Sequence, residues 1–346
     1  MPRWFGLPLV LCAGTIVVAA QQPPATANAP LTAVPGIKVG HFTLAERPTG
    51  CTVVLIEGGA VAGVEVRGAA PATSETDLLA PEKMVQEIYG IVLSGGSSFG
   101  LDARAGAVKF LEEKKIGVAY GGLRIPIVPA ASIFDLPVGD GRIRPAADCG
   151  YRAAANATTG TVTEGSVGAG AGATAGKYLG MGRAMKTGVG SAARTLPDGT
   201  IVAALVVANP FGDIIDAATG RTVAGVRNES GGGLSDARTL MRAGVPRVSG
   251  GGNSTIGVIA TNARLSKAQA HYLAQLADDG YARAIWPIHT IVDGDVVFAI
   301  ATGTGSAEPD LLALGALAGD VMATAVVRAA TEANRLPGLP AARDLR

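Results

Sequence analysis

A serine-threonine pair follows a glycine-rich segment and begins an apolar stretch in the sequence GGNSTIGVIATNA, residues 251–263. Glycines at 250–252 allow backbone conformations that other residues avoid, and the β-branched residues that follow favour a strand. Ser254 is therefore predicted to lie where a loop turns into a sheet, a position that can present a buried nucleophile. Taken alone, this window is explained more simply by an ordinary loop-to-strand junction with a surface serine.

A second candidate group is the pair of aspartates in Asp293-Gly294-Asp295, which precedes a predicted strand from Val296 to Ile300. The pleat of a strand directs the two side chains of an Asp-x-Asp sequence to the same side. Two such carboxylates could hold an amine and orient a hydroxyl or a substrate, in either assignment. An ordinary Asp-Gly turn between strands is an equally good interpretation of these residues alone.

Five segments, in this order along the chain, resemble the family of L-aminopeptidase/D-Ala-esterases and β-aminopeptidases, which also includes hydrolases of nylon oligomers. They are VEVRGAAPATSETDLL (64–79), IVLSGGSSFGLDARAGAVKFLEE (91–113), GSVGAGAGATAGK (165–177), GGNSTIGVIATNA (251–263) and HTIVDGDVVFAIATG (289–303). The likeness covers most of residues 35–335. Members of that family are made as one inactive chain that cuts itself, and the residue after the cut becomes an N-terminal nucleophile.

The resemblance places the cut between Asn253 and Ser254 and makes Ser254 the nucleophile, with Thr255 as the rival. A serine hydroxyl needs an adjacent base, and an N-terminal amine with a pKa of roughly 7.7–8.0 can be that base near neutral pH. In the uncut chain the amine is still an amide. Self-cleavage would therefore begin with attack of Ser254 Oγ on the Asn253 carbonyl, giving an ester that water opens.

The resemblance also implies roles for four further residues. In the nylon-hydrolase branch two aspartates with the spacing of Asp293 and Asp295 are catalytic, whereas β-aminopeptidases carry Ser and Glu there. Asn209, which ends the apolar stretch 201–208, could donate its amide to an oxyanion. Lys177 could support the oxyanion or lower the pKa of the amine, or it could be a solvated surface lysine.

The glycine-rich segment before Lys177 does not match a phosphate-binding loop, because Ala171 replaces the first glycine and Tyr178 replaces the Ser/Thr. The stretch 128–140 departs from the β-aminopeptidases. Ser132 and Phe134 align with their glutamate, which meets the free amine of the substrate, and with a tyrosine near the oxyanion. Recognition of a free amine is thereby in doubt. Ser97 and Ser98 are expected to line the same cavity, unless their segment is only a tight turn.

Composition is compatible with one large catalytic domain. The chain has 346 residues, 48% of them hydrophobic, with 49 glycines and 4% aromatics. A net charge of +1 without a long basic run argues against nucleic acid or an anionic membrane as the main partner. The three histidines are scattered, His289 is interpreted as structural, and no metal or cofactor is expected.

The N-terminus predicts export. Residues 1–20 combine Arg3, an apolar run and a small-residue end, as in a secretory signal peptide, and a flexible linker is expected over 21–34. The apolar run is shorter than the roughly 20 residues that span a bilayer. A periplasmic or secreted location leaves Cys51 and Cys149 either as a disulfide or as two buried free thiols.

Periodicity predicts a mixture of strands and helices. Residues 52–57 and 62–67 are interpreted as a hairpin around Gly58-Gly59, residues 90–93 and 201–208 as buried strands, and residues 102–115, 266–282 and 309–334 as helices. A Ser-x-x-Gln capping box begins the second helix. These elements fit the α/β class, as the four-layer α/β/β/α sandwich that the resemblance implies for residues 35–346.

We therefore expect a secreted, self-processing N-terminal-serine aminopeptidase or amidohydrolase, cut into 21–253 and 254–346, which acts on short peptides, amino-acid amides or esters. A homo-oligomer of cleaved heterodimers is expected. The alternatives are an acyltransferase or a hydrolase of ω-amino amides, and, in another class, a non-catalytic periplasmic binding protein whose chain stays intact.

Overall fold

A computed structural model of the protein describes Met1 and residues 30–248 and 252–345. The predicted signal peptide and most of the predicted linker therefore lie outside the described residues. The helices are α1 (Ala103–Glu113), α2 (Ala147–Ala155), α3 (Ala237–Arg242), α4 (Lys267–Ala284) and α5 (Leu311–Thr331). The strands are β1 (Lys38–Thr43), β2 (Gly50–Val66), β3 (Thr73–Ser74), β4 (Glu87–Ser94), β5 (Val118–Tyr120), β6 (Leu123–Ile125), β7 (Ala130–Ser132), β8 (Thr174–Ala175), β9 (Met185–Lys186), β10 (Val189–Thr195), β11 (Ile201–Asn209), β12 (Asp213–Ile215), β13 (Thr222–Ala224), β14 (Ser254–Thr261), β15 (Ile285–Trp286) and β16 (Val296–Ala301).

The longest strand, β2, shows that the hairpin predicted around Gly58-Gly59 is wrong. Residues 50–66 form one continuous strand, and the register with β4 shifts between Leu55 and Ala60. Gly59 has a φ of 78°, a conformation that suits glycine at an irregularity in a strand. The two glycines therefore bend a single strand and do not reverse the chain.

The bent strand β2 lies in a nine-stranded sheet with the order β10-β11-β14-β16-β2-β4-β7-β3, in which β1 also pairs with β2. One half of the sheet runs from β10 to β16, the other from β4 to β3, and β2 belongs to both. One core cluster joins side chains from both halves, including Leu93 of β4 and Val258 of β14, so the halves face each other. A second cluster packs α4 and α5 on one half, and a third packs α1 and α2 on the other. The result is the predicted α/β/β/α arrangement.

The predicted helices and buried strands are confirmed, with small differences at their ends. The capping box of α4 is present, because Ser266 accepts from the Gln269 N–H and the Gln269 side chain accepts from the Ser266 N–H. Asp310 caps α5, because its side chain accepts hydrogen bonds from the N–H groups of Leu312 and Ala313. Within the described residues α5 is long and apolar enough to cross a bilayer, but it packs against α4, β10 and β11.

Two further features concern the cysteine pair, which the sequence left open, and the end of the predicted linker. Cys51 of β2 and Cys149 of α2 form a disulfide, which ties the third core cluster together. Leu31 and Val34 are fully buried. The predicted linker of 21–34 is therefore too long at its C-terminal end, since residues 31–34 are part of the folded domain.

Three neighbouring strands in this sheet bring the candidate site residues together. β11 and β14 are antiparallel, with Asn209 opposite Ser254. β14 and β16 are parallel, so that both begin at the same edge of the sheet, and an isolated bridge continues this pairing from Asn253 to Asp293. The end of β11, the start of β14 and the turn before β16 therefore meet, although the residues are far apart in sequence.

Candidate active site

Ser254 is the first residue of β14 and is buried, with 3% of its surface exposed. Its Oγ lies 2.5 Å from the carbonyl oxygen of Asn253, to which it donates. The same oxygen accepts the backbone N–H of Gly294 at 2.8 Å. The hydroxyl of Ser254 is therefore next to the peptide bond at which the sequence predicts cleavage. The hydroxyl of Thr255 is buried without a hydrogen-bond partner, so the geometry favours Ser254 over its rival.

The peptide before Ser254 is fixed by the turn that carries the aspartates. The Asn253 N–H and side-chain amide both donate to the Val292 carbonyl, at 3.1 and 3.2 Å. The side-chain oxygen Oδ1 of Asn253 is buried and has no hydrogen-bond partner. The Asn253 carbonyl thus has a backbone donor aimed at it, which is the arrangement that stabilises negative charge during attack.

Asp293 and Asp295 are both fully buried, and each binds a different part of the site. Asp293 Oδ1 accepts the Phe211 N–H at 3.0 Å, and Oδ2 accepts both the N–H and the hydroxyl of Thr290. Asp295 Oδ1 accepts the Thr255 N–H at 2.7 Å. One carboxylate therefore anchors the segment after β11, and the other holds the residue next to the nucleophile.

Lys177 is buried and contacts Asn209, which contradicts its interpretation as a solvated surface lysine. Its Nζ donates to Asn209 Oδ1 at 2.8 Å and to the Asn209 carbonyl at 3.0 Å. The amide nitrogen of Asn209 donates to the Phe134 carbonyl at 3.1 Å. In this structure the Asn209 side chain binds Lys177 and the Phe134 carbonyl. These hydrogen bonds do not provide the oxyanion donor that the sequence led us to expect.

The charges at this site are strongly coupled. Burial lowers the pKa of Lys177 to about 7, while Asp293, Asp295 and Asp135 act in the opposite direction. Burial, and then the negative charge of Asp295, raise the pKa of Asp293 above its usual value, against the effect of Lys177 and two hydrogen bonds. The site thus holds a lysine and a carboxyl whose pKa values are shifted toward each other by burial, which is typical of sites for acid–base chemistry.

A cavity of about 180 Å³ lies beside Lys177, and its wall includes Phe134 and Gly252. It adjoins a larger cavity of about 790 Å³, because Pro137, Val138 and Met181 belong to the walls of both. The prediction that Phe134 lines the substrate cavity agrees with this placement. The walls described for both cavities are mainly apolar.

Three other residues that were expected in the pocket, Ser132, Ser97 and Ser98, are not among those that line either cavity. Ser132 is buried and its hydroxyl bonds Ser94 and the Gly95 carbonyl, so it holds two strands and their loop together and does not line either cavity. Ser97 and Ser98 lie on the short 3-10 helix Ser97–Asp102 and do not belong to the walls described for either cavity. The alternative interpretation of that segment as a structural turn is the better one.

Sequence reasoning missed the carboxylate that lines the smaller cavity, Asp135. Asp135 is buried beside Lys177, but its oxygens are taken by Arg47 at 2.8 Å, the Thr49 hydroxyl at 2.6 Å and the Gly96 N–H at 2.8 Å. The only hint in the sequence was its position, three residues after Ser132. Because its charge is compensated, Asp135 does not offer a free carboxylate to a substrate amine.

Behind the aspartates lie two more charged side chains that the sequence did not single out for catalysis. His289 contacts Asp295, and Asp278 of α4 contacts His289. A signal existed for Asp278, because it follows Ala274 and Ala277 on the apolar face of α4, where a charged residue requires an explanation. Within residues 30–248 and 252–345, no group of three or more His, Cys, Asp or Glu side chains could hold a metal ion.

The fold and the site together define a hydrolase of the N-terminal nucleophile class. The model of peptidase family S58 matches residues 29–343, and the chain belongs to that family. It is 40% identical to an uncharacterised aminopeptidase of Mycobacterium tuberculosis, over 91% of this chain and 97% of the relative. It is 34% identical to a 6-aminohexanoate-oligomer endohydrolase of a Kocuria species, over 86% and 84% of the two chains.

Solved structures give the same result for the fold. A β-aminopeptidase of a Burkholderia species superposes with a TM-score of 0.68 and 25% identity, over 90% of both chains. The L-aminopeptidase D-Ala-esterase/amidase of Ochrobactrum anthropi, described as a variant of the Ntn hydrolase fold, has a TM-score of 0.69 and 20% identity, over 93% and 94% of the chains. The predicted family, fold and hydrolase class are therefore confirmed.

Proposed function

We propose that this hydrolase cuts its own chain between Asn253 and Ser254, and that the new N-terminal serine then releases N-terminal residues from short peptides, amino-acid amides or esters. The observation that carries this proposal is the position of Ser254 Oγ at the carbonyl of Asn253, with the Gly294 N–H on the same oxygen. A surface serine at a loop-to-strand junction would not need a buried hydroxyl, a backbone donor and two buried carboxylates around it.

Self-cleavage proceeds in two steps. Ser254 Oγ attacks the Asn253 carbonyl carbon, its proton passes to a base, and the bond from that carbon to the Ser254 nitrogen breaks as the nitrogen is protonated. The resulting ester is then hydrolysed by water, which leaves a carboxylate on Asn253 and a free amine on Ser254. The structure gives the Asp293 and Asp295 carboxylates partners other than the Ser254 hydroxyl, so the base of the first step is left to the variants of these two residues to identify.

In the cleaved enzyme the Ser254 amine is the base that activates its own hydroxyl. The substrate acyl group is attacked as the Asn253 carbonyl was, and the Gly294 N–H is the donor at hand for the oxyanion. The Lys177 ammonium adds positive charge to this region, because it is held 2.8 Å from Asn209 Oδ1 on the strand next to Ser254. A charge-bearing donor in a buried site is worth more than the same donor in water.

The experiment is a denaturing gel of the purified mature protein with N-terminal sequencing. We expect two fragments, with the smaller one beginning Ser-Thr-Ile-Gly. Ser254→Ala is expected to stay one folded chain without activity toward amino-acid anilides. Thr261→Ala is the matched control, since it removes a hydroxyl at the other end of β14. A Ser254→Ala protein that is still cut at this junction and still turns over substrate contradicts the proposal, and a fragment beginning at Thr255 transfers the role to that residue.

A second candidate function is hydrolysis of ω-amino amides or other internal amides. It is favoured by the compensated charge of Asp135, because a substrate amine that enters a pocket without a free carboxylate loses its hydration without replacement. Acyl transfer to an amine uses the same acyl-enzyme and is distinguished by product analysis with and without an amine acceptor.

We further propose that the protein is periplasmic or secreted, on the strength of residues 1–20.

The two amide hydrolase functions differ in how they treat an acylated substrate. For the second function, kcat/KM for N-acetyl-alanine p-nitroanilide should be within about tenfold of that for the free-amine form. A loss of more than about a thousandfold on acetylation, roughly 4 kcal/mol of transition-state binding, identifies an aminopeptidase with an acidic amine-binding group.

A further inference from the structure

Asp278 is a fully buried carboxylate on α4, away from the nucleophile. One of its oxygens, Oδ2, lies 3.0 Å from His289 Nε2 and 3.1 Å from the Arg67 guanidinium, and the other has no hydrogen-bond partner. Burying a carboxylate is costly unless it is paired, and apolar side chains at such a position are often more stabilising than an ion pair. Stability alone therefore does not explain the presence of Asp278.

His289 connects this carboxylate to the site. Its Nδ1 lies 3.0 Å from Asp295 Oδ2, and its backbone N–H donates to the same oxygen at 3.1 Å. His289 has a backbone φ of 53°, which is uncommon for a residue other than glycine and marks a conformation held by its surroundings. The conformation allows one residue to bind a single carboxylate oxygen with both its backbone and its ring.

Asp295 completes the connection, because its other oxygen, Oδ1, accepts the Thr255 N–H at 2.7 Å. A continuous chain of polar contacts therefore runs from Arg67 through Asp278, His289 and Asp295 to the backbone beside Ser254. The ring nitrogen Nδ1 of His289 is hydrogen-bonded to Asp295, whereas Nε2 lies 3.0 Å from Asp278 Oδ2 as an ion-pair contact without hydrogen-bond geometry. A protonated ring is attracted to both carboxylates.

We propose that Asp278 and His289 are positioning residues, which hold the carboxylate of Asp295 in one orientation and thereby set the place of the nucleophile. The proposal rests on the proposed function of Ser254 and Asp295 and extends it to residues that do not touch the substrate. In metal sites, mutation of an outer residue that orients a metal ligand commonly lowers affinity or activity by 10- to 100-fold. The same physical reasoning applies to a residue that orients a carboxylate.

The charge state of His289 agrees with this role. Burial lowers its pKa, but the hydrogen bonds and charges of Asp278 and Asp295 outweigh burial and raise the pKa to about 9. On the Asp278 side the neighbouring charged groups are Arg67, Glu65 and Asp279, the last 3.6 Å from the Arg67 guanidinium. On the Asp295 side they are Asp293 and Lys177, and the buried phenol of Tyr281 lies near both carboxylates. The ring is consequently an imidazolium at neutral pH and balances one of its two carboxylates.

The first test is nuclear magnetic resonance of protein labelled in its histidine ring nitrogens, which is feasible because the chain has three histidines. The signal lost in His289→Gln identifies His289. We expect it to be doubly protonated at pH 7 and to titrate near pH 9. Asp278→Asn removes a negative charge and should move that titration to lower pH, whereas Arg67→Gln removes a positive charge and should move it to higher pH.

These measurements are made in the single-chain Ser254→Ala protein as well as in the active enzyme. They therefore test the chain of polar contacts from Arg67 to Asp295 even if the proposed self-cleavage fails. A neutral His289 ring at pH 7, or a titration that neither Asp278→Asn nor Arg67→Gln moves, overturns the proposal.

The second test is kinetic. His289→Gln keeps one donor and His289→Phe keeps none, so kcat should fall at least about tenfold in the first and further in the second, with KM within about twofold. In Asp278→Asn, kcat should fall at alkaline pH in step with the lowered titration of His289. A purely structural role predicts instead that the variants lose melting temperature while kcat of the folded protein and its pH profile stay unchanged.

Discussion

The carbonyl oxygen of Asn253 accepts the backbone N–H of Gly294 at 2.8 Å, so the peptide bond at the predicted cut is held by the turn between the two aspartates. This contact is part of a parallel bridge that extends the pairing of β14 with β16 beyond both strands. Ser254, the Asn253 carbonyl and the two carboxylates are consequently fixed to one another by hydrogen bonds to the backbone.

Gly294→Ala should slow self-cleavage. A Cβ at Gly294 would lie 2.3 Å from the Ala70 carbonyl oxygen, so the turn must shift and move its N–H away from the Asn253 carbonyl. Removal of one oxyanion donor commonly lowers a rate by about 10²–10³-fold, and a displaced donor should approach the lower figure. Time-resolved gels of freshly expressed precursor measure the rate.

The matched control for that variant is Gly58→Ala, because a Cβ there would meet nothing within 4 Å. It should be cut at the parental rate. Equal rates for Gly294→Ala and Gly58→Ala would show that the Gly294 N–H has no part in the reaction.

Asp293→Asn and Asp295→Asn should each lower turnover by at least about a hundredfold, the scale of a lost acid–base or orienting group. Asn keeps the size of the side chain but changes one acceptor oxygen to a donor, which is mismatched to the N–H groups of Phe211 and Thr290 at Asp293 and of Thr255 at Asp295. At least one variant should also slow self-cleavage. Near-normal turnover in both would reduce the pair to an ordinary strand turn.

Lys186 predicts a specific dependence of stability on pH. It is fully buried, and burial lowers its pKa to about 7, against the opposing charge of Asp135. Between pH 7 and about 10.4 the unfolded chain therefore binds more protons at this residue than the folded chain, so the free energy of unfolding rises with pH. The contribution of one such group is about 1.4 kcal/mol per pH unit inside that window.

The measurement compares Ser254→Ala with Ser254→Ala/Lys186→Met, so that neither chain is cut. Denaturant unfolding at pH 7, 8 and 9 should show the free energy of unfolding of the Lys186 protein increasing relative to that of the Met variant. A constant difference across these pH values would mean that Lys186 is charged in the folded protein, and that its hydrogen bond to the Gly170 carbonyl outweighs burial.

The disulfide between Cys51 and Cys149 closes a sequence separation of 98 residues and joins β2 to α2. Loss of a cross-link over a loop of this size typically costs about 2–4 kcal/mol. Cys51→Ala/Cys149→Ala should therefore unfold at a lower denaturant concentration than the oxidised parent. Thiol titration of the unfolded mature protein is the direct check, and two free thiols per chain would contradict the pairing.

Local sequence was enough to predict the elements that carry their own signals. The strand that begins at Ser254 has a glycine-rich start and β-branched residues, and α4 has a capping box that requires only Ser266 and Gln269. Helical periodicity and strand composition are properties of neighbouring residues, so they are legible before the chain folds. The resemblance to one family then predicted roles for Ser254, Asp293, Asp295, Asn209 and Lys177.

The tertiary structure decided how those residues contact one another. Gly58-Gly59 could have formed a turn, but packing on both faces of the sheet makes β2 one bent strand. Lys177 is buried because Asn209, 32 residues later, accepts its ammonium, and no local pattern contains that contact. For the same reason Ser132 was misplaced, since its partners Ser94 and Gly95 lie on another strand and its loop.

The chain of polar contacts from Arg67 to Asp295 shows most directly what local sequence leaves open and the tertiary structure decides. His289 and Asp295 are six residues apart, yet only the fold places Asp278 of α4 on the other side of the ring, 3.0 Å from its second nitrogen. A side chain's pKa depends on burial and on charges within a few ångströms, and these are fixed when distant segments pack. The sequence by itself therefore determined which chemical groups this protein has, and packing decided which of them are charged, buried and in contact.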